Sequence, residues 1–239
     1  MVSLICCYNQ IEEYNQLLVS VENQDISVEC IGIDNTEGVF SSAASALNFG
    51  AERAKGDVLV FLHQDIRFLK SDALRSFLTP LFEDMSSLLV VGLYGAARSK
   101  EIYSNNYLLQ ETLDECCIAL SRKTWEQVSF NEDVCDGWHL YAVELCLRLR
   151  RYGGKAISAI HHDVCHLSSG NVDERYMRTF KKLLILYKDD KMICTTCKCM
   201  PANLLYYYMY YVLWAIKKKL FGNYTLVHTI KCLLKGNIK

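Results

Sequence analysis

Four short apolar runs alternate with three longer stretches over the first 95 residues, and this alternation leaves the fold little freedom. Residues 2–7, 28–33, 58–62 and 88–93 are too short for core helices and carry many β-branched side chains. They read as strands, and residues 58–62 as a strand buried in a parallel sheet. Between them, residues 11–23 place Ile11, Tyr14, Leu17, Leu18 and Val21 on one helical face. Residues 41–55 predict a helix of small residues with Gly56 as its left-handed terminator, and residues 71–84 a third helix. A β-α-β-α-β-α-β order predicts an α/β, doubly wound, mostly parallel sheet with helices on both faces.

The middle of the chain is less regular. Residues 113–120 read as a strand, 122–128 as a short helix, and 140–152 as a helix closed by Gly153-Gly154. A strand over 156–160 runs into His161, His162 and His166, and a helix follows over 173–187. Residues 1–190 therefore read as one domain and 191–239 as a basic, aromatic helical appendage. From Leu204 to Ile216 the chain carries thirteen uninterrupted apolar and aromatic residues, followed by Lys217, Lys218 and Lys219. That is short of the roughly 20 residues a membrane span needs. The aromatic content and trailing lysines predict a helix lying at a membrane interface. After Asp190 there is no acidic residue, while Lys191, Lys198, Lys231, Lys235 and Lys239 add to the basic character.

Composition narrows the function classes. A net charge of −1 and a pI near 6.6 argue against a general polyanion binder, and no basic stripe interleaved with aromatics marks a nucleic-acid partner. The start of the chain lacks the basic and long apolar segments of a secretory signal. Twelve cysteines, several inside apolar runs, then read as small hydrophobes in a reducing cytoplasm, with peripheral contact at the inner membrane face. Cys6-Cys7 and Cys116-Cys117 fit strands whose adjacent thiols point to opposite faces. Cys194, Cys197 and Cys199 lie close together, but a zinc site would need a fourth ligand such as His161 or His162.

Ligands of open α/β sheets bind outside the carboxyl ends of the strands. Here three strand ends carry polar residues: Tyr8-Asn9, Asp34-Asn35 and His63-Gln64-Asp65. His63 and Asp65 are potential ligands of a divalent ion. Neither a GxGxxG turn nor a GxxxxGK[ST] loop is present, so any phosphate must be held by a metal and side chains. Mg²⁺ or Mn²⁺ bound by a carboxylate and substrate phosphates suits such an edge.

These residues resemble a known family. VSLICCYN (2–9), ECIGIDNTEG (29–38) and SAASALNFGAERAKGDVLVFLHQDI (42–66) are similar to the nucleotide-binding half of family-2-type glycosyltransferases of the GT-A fold, a Rossmann-like three-layer α/β/α sandwich. DGWHLYAVELCLRLRRYGG (136–154) resembles the acceptor-side helix of that family, and the resemblance spans roughly residues 1 to 190. It implies inverting, metal-dependent transfer of a sugar from a nucleotide diphosphate sugar to an acceptor hydroxyl, in glycan or polysaccharide synthesis, with a glycan or lipid-linked acceptor. Tyr8, Asn9, Asp34, Asn48, His63 and Gln64 fall at donor-binding positions. Asp65 is the retained carboxylate of the Asp-X-Asp motif, and His166 the histidine that completes the metal site. Of the acceptor-side acids only Glu144 survives, because Tyr141-Ala142 replace the usual pair. The base candidates are Asp136, His139 and Glu144.

Two other readings stand beside this one. A sugar-phosphate nucleotidyltransferase would use a similar sheet and metal, but needs a Gly-rich basic loop that residues 6–13 lack. A catalytically silent sugar-binding or scaffold module would account for His63 and for the lost acidic pair.

Overall fold

The computed structural model describes residues 1–221 apart from Ser169 and Asn171, so Lys231, Lys235, Lys239 and the end of the expected appendage lie outside the described residues. The chain opens in the predicted order: β1 (Val2–Tyr8), α1 (Ile11–Glu22), β2 (Val28–Asp34), α2 (Ala43–Arg53) and β3 (Val58–Leu62). β1 pairs in parallel with β2 on one side and β3 on the other. A short strand, β4 (Ile66–Phe68), precedes α3 (Ala73–Glu83) and β5 (Leu89–Gly92). Four brief strands absent from the expectation follow: β6 (Gly95–Ala96), β7 (Glu101–Ser104), β8 (Tyr107–Gln110) and β9 (Thr112–Leu113). Then come β10 (Cys117–Ser121), α4 (Arg122–Gln127), α5 (Tyr141–Arg151), β11 (Lys155–Ala159), β12 (Val164–His166) and α6 (Glu174–Leu186). The hairpin β13 (Met192–Cys194) and β14 (Cys199–Pro201) leads into α7 (Leu204–Phe221).

The main sheet has eight strands in the order β2-β1-β3-β10-β5-β11-β8-β7. β10 runs antiparallel between β3 and β5, and β8 is antiparallel to β11 and β7. The other strands share one direction, so the sheet is mostly parallel in sense, yet β5 does not adjoin β3 as a simple reading of the alternation implies. Ile118, Ala119 and Leu120 are fully buried, as the strands of a covered sheet are. An apolar run such as that of β10 reports burial, not the direction of the strand.

Helices cover both faces. Tyr14, Leu17 and Val21 of α1 and Leu74, Phe77 and Leu78 of α3 pack on Leu4, Val60 and Val91. On the opposite face, α2 and α5 place Ala44, Leu47, Ala51, Leu145 and Leu149 against Ile5, Leu59 and Phe61. Each fully buried Leu, Ile or Phe contributes about 1.5–3 kcal/mol. A third cluster joins Leu147 of α5, Phe180 and Leu183 of α6, and Tyr207 and Trp214 of α7, with Ile193 and Met200 from the hairpin. The described part of the appendage thus packs on the helices before it.

Several local expectations change. α2 leaves through Ala54 in an extended conformation (φ −65°, ψ 146°), so Gly56 does not terminate it in the left-handed region. Gly56 is needed for space: a Cβ there would lie 2.6 Å from Ser3 Oγ and 2.8 Å from the Met1 carbonyl oxygen. The left-handed glycine in this half is Gly38 (φ +68°), in the turn after β2. Residues 113–120 are not one strand, because a turn at Asp114-Glu115-Cys116 separates β9 from β10. Cys116 and Cys117 therefore enter the same core cluster instead of opposite faces, whereas Cys6 and Cys7 do divide between the two. Cys194 and Cys199 face each other across the β13–β14 hairpin and form a disulfide, a correction to the expectation of free thiols. With two of its three sulfurs bonded together, this cluster is not a zinc site. Nine other cysteines among the described residues are free, so no disulfide framework holds the fold.

Candidate functional site

The parallel pairing of β1, β2 and β3 brings their polar ends to one edge. The register sets Tyr8 beside Asp34 and Ile5 beside Phe61, so the residues just beyond β3 emerge next to those ending β1. A cleft of about 620 Å³ opens there, lined by Tyr8, Asn9, Asn35, His63, Gln64 and Asp65 from the strand ends, and by Trp138, Ser168 and Arg175 from later in the chain.

Polar groups at this edge are already paired. The Gln64 side-chain oxygen accepts from the backbone N–H groups of Asn9 (2.9 Å) and Gln10 (3.0 Å), and its amide nitrogen donates to Asn9 Oδ1 (3.0 Å). Gln64 thereby satisfies backbone donors at the start of α1, where Gln10 makes no side-chain cap. Asp34 Oδ1 accepts from the Thr36 N–H (2.9 Å) and hydroxyl (2.7 Å). The Thr36 backbone and hydroxyl bonds, with a contribution from Tyr8, hold the Asp34 carboxyl below the usual range and keep it ionised. The Tyr8 ring stacks on Tyr14 at 4.2 Å between centroids.

His166 reaches this edge through a local ladder. β12 pairs antiparallel with β4, setting His166 opposite Ile66, and the Leu167 N–H donates to the Asp65 carbonyl (3.2 Å). Potential ligand atoms of His63, Asp65 and His166 consequently all lie within 4.8 Å of one another. His166 Nε2 is 3.4 Å from Asp65 Oδ1, and Asp65 Oδ2 accepts from the Ser168 N–H (3.1 Å). Burial pushes the Asp65 carboxyl upward, but hydrogen bonds from His166 and Ser168 outweigh it and hold the group well below the carboxylate range. Burial, reinforced by His166, pushes His63 down to about 4, so it is neutral at physiological pH as a metal ligand must be.

A second layer orients His63. Its Nε2 is 3.2 Å from the Tyr141 hydroxyl, which donates to the Glu115 carbonyl oxygen at 3.2 Å. With the hydroxyl proton so engaged, the tyrosine oxygen accepts from His63 Nε2–H, leaving Nδ1 with a free lone pair. Two imidazoles and a carboxylate are a donor set that fits a borderline divalent ion such as Mn²⁺.

A smaller cavity of about 190 Å³ lies beyond this cluster and shares His63, Trp138 and Ser168 with the cleft. His166, Asp114, Glu115 and His139 also line it. The base candidates fall differently around it. Glu144 is fully buried and lines neither cavity; it accepts from Arg148 (2.9 and 3.1 Å), Tyr187 (2.9 Å) and Asn131 (3.3 Å). Arg148 lies four residues on along α5, a spacing that gives a surface ion pair on an exposed helix; here the packing of α5 against α6 buries Glu144, and both its oxygens accept hydrogen bonds. Asp136 forms a half-exposed ion pair with Lys182 at 2.9 Å, outside both cavities. His139 does face the smaller cavity, with Nε2 3.3 Å from Asp173 Oδ1, and burial lowers its pKa against the opposing pull of Asp173.

Asn48 also lies outside both cavities. Its amide donates to the Phe130 carbonyl (2.9 Å) and Glu132 (2.8 Å) and accepts from Phe130 N–H (3.1 Å) and Trp125 (3.3 Å). With every side of the amide occupied, it ties α2 to the loop after α4 and has no capacity for a donor.

The sequence did not single out Trp138, Ser168, Arg175 or Glu115. Glu115 was hidden inside an apolar run read as one strand; the adjacent charges Asp114-Glu115 were the available signal of a break. Its Oε1 is buried and has no hydrogen-bond partner among the described residues. An orphaned buried acceptor costs about 1–3 kcal/mol and calls for an explanation. Burial, with the neighbouring Asp114 carboxylate, pushes the Glu115 carboxyl up to about 8.

Comparison with known proteins places this geometry. The sequence profile described as a glycosyltransferase-like family matches residues 3–118. No curated protein matches the chain by sequence. Among solved structures, GalNAc-T7 with UDP, GalNAc and Mn²⁺ is similar at a TM-score of 0.59 and 10% identity, over 77% of this chain and 47% of that one. TarS 1-349 of S. aureus is similar at 0.52 and 14% identity, over 77% of this chain and 63% of that one. This chain spans about half to two thirds of the length of those structures, and at these identities the likeness speaks to the fold.

Proposed function

We propose that this chain, a glycosyltransferase of the GT-A type, moves a sugar from a nucleotide diphosphate sugar to an acceptor hydroxyl with inversion at the anomeric carbon. The observation that carries this reading is the cluster of His63, Asp65 and His166, within 4.8 Å at the carboxyl edge of a parallel sheet and beside a 620 Å³ cleft. A diphosphate is the leaving group, and a divalent ion held by these three side chains would neutralise the charge that grows on it. Arg175, lining the same cleft, supplies a second positive group for the phosphates. Tyr8 offers a ring to the nucleobase, and the ionised Asp34 accepts from nucleoside donors. Positioning supplies much of the acceleration in such a transfer.

Two imidazoles in the donor set favour Mn²⁺ over Mg²⁺, which prefers oxygen ligands in near-ideal octahedra. Calorimetric titration with UDP tests the reading. Binding should appear with Mn²⁺, weaken with Mg²⁺ and vanish with chelator; no binding of UDP or GDP under any of these conditions would sink it.

The acceptor reading is a glycan or lipid-linked hydroxyl presented at a membrane surface. Leu205, Met209, Leu213 and Ile216 recur along one side of α7 and are exposed, and Lys217, Lys218 and Lys219 follow. No described helix is long and apolar enough to cross a membrane. An outward apolar face with trailing lysines suits the surface of an anionic bilayer. Leu205→Glu with Leu213→Glu should abolish co-sedimentation with phosphatidylglycerol vesicles while leaving UDP binding intact. Undiminished co-sedimentation of the double variant would rule this surface out.

A further inference from the structure

We infer that Glu115 is the catalytic base, taking the proton of the acceptor hydroxyl in the smaller cavity beside the His63–Asp65–His166 cluster. The assignment rests on the transfer reading above and names the group that the acceptor helix fails to supply.

Elimination and placement both lead there. Glu144 is saturated by Arg148, Tyr187 and Asn131, and Asp136 is paired with Lys182 outside both cavities. Asp114 lines the smaller cavity but already accepts from the Thr196 hydroxyl (2.7 Å) and the Cys116 N–H (3.1 Å). His139 is held by Asp173. Glu115 alone among these acids lines the cavity with a buried carboxyl oxygen that has no partner among the described residues. A bound hydroxyl would give that oxygen the hydrogen bond it lacks.

The two cavities meet at His63, Trp138 and Ser168. A donor whose phosphates lie in the cleft by Asp65 and Arg175 therefore directs its anomeric carbon toward the smaller cavity, where the acceptor enters. Inverting displacement needs this arrangement, with base and leaving group on opposite sides of the reacting carbon. The acceptor oxygen forms its bond to the anomeric carbon as the bond from that carbon to the phosphate oxygen breaks. The bonding pair leaves on the nucleoside diphosphate, and the acceptor proton passes to the Glu115 carboxylate. The backbone of the base is fixed, because the Glu115 carbonyl accepts from Tyr141, the same residue that orients His63. Burial beside Asp114 raises the proton affinity of Glu115, the direction that strengthens a base.

The test uses the full chain at about pH 8.5, above the value of about 8 to which burial raises Glu115, so that the carboxylate form is present. It supplies Mn²⁺ and a panel of UDP-hexoses, with water as the acceptor, and reads UDP release alongside UDP binding. Glu115→Gln keeps the shape of the protonated carboxyl. It should bind UDP and Mn²⁺ as the wild type does while UDP release falls about 100-fold or more. Glu115→Asp, with the carboxylate withdrawn, should fall less, by about tenfold; it carries the test should the glutamine variant fail to fold. Release by either variant at the wild-type rate with binding intact overturns the assignment. Wild type that binds donor but releases no UDP overturns it equally. Failure of the wild type to bind UDP is a different result: it removes the donor reading first, and the base with it.

Discussion

The two cavities that meet at His63 are built on opposite principles. In the larger cleft, polar groups are paired before any ligand arrives: Gln64 with Asn9 and Gln10, and the Asn35 side chain with the Phe40 backbone. In the smaller cavity, a buried oxygen of Glu115 has no partner among the described residues. The cleft is set for a ligand of fixed shape, a nucleotide, whose binding should cost little reorganisation. The smaller cavity keeps an unmet hydrogen bond at the point where a proposed second substrate reacts. A site with one rigid side and one unsatisfied side suits ordered binding, donor first.

The comparison can be broken at the cluster between the cavities. Asp65→Ala removes the carboxylate of the metal set. It should reduce Mn²⁺-dependent UDP release about 1,000-fold, read as turnover at saturating donor; a loss under tenfold would show that the imidazoles suffice without it. Tyr141→Phe should come next. It removes the acceptor that fixes the His63 tautomer and is expected to weaken Mn²⁺ affinity about 10–100-fold, measured by titration of the ion alone. Unchanged affinity would mean that His63 is no ligand.

Sharper but smaller effects lie on either side. Gln64→Ala frees two backbone N–H groups at the start of α1. Loss of that cap should cost about 1 kcal/mol of stability by urea denaturation, with a parallel loss in UDP affinity. Equal UDP affinity in a destabilised variant would separate the clamp from the donor site. A separate signal lies in the pH dependence of stability. Glu115 is raised from an ordinary 4.5 to about 8 in the folded chain. Between those values the folded state holds a proton that the unfolded state has released. The contribution of this group is full below pH 4.5 and is lost as pH rises through 8. Glu115→Gln should therefore show a flatter decline in melting temperature between pH 5 and pH 8 than the wild type.

Much of the cleft was readable in the sequence, because its chemistry follows directly from strand ends. Tyr8-Asn9, Asp34-Asn35 and His63-Gln64-Asp65 each terminate an apolar run, and parallel pairing of such runs leaves their ends together. The surroundings of Asn48 were less readable, for the opposite reason. Its place on a helix was correct, but the partners that consume its amide, Phe130, Glu132 and Trp125, are distant in sequence. Glu144 is a similar case: its partner Arg148 lies four residues on, but nothing local announced Tyr187 or the burial that α6 imposes. The disulfide between Cys194 and Cys199 was hidden by a hairpin too short to register as two strands.

By itself, the sequence determined the sheet, its helical layers and the edge at which Asp65 emerges, since hydrophobic periodicity records which faces are buried and where each strand stops. Only the tertiary structure decided that β10 runs antiparallel through the middle of that sheet. The same holds for His166, carried to Asp65 by β12, and for which buried carboxylate oxygen is left without a partner among the described residues. Strand direction and the pairing of buried charges depend on contacts between segments far apart in the chain. Periodicity carries no trace of such contacts, so the acids that spacing favoured are the ones the fold has saturated. Glu115, enclosed in an apolar run, is the one it left open.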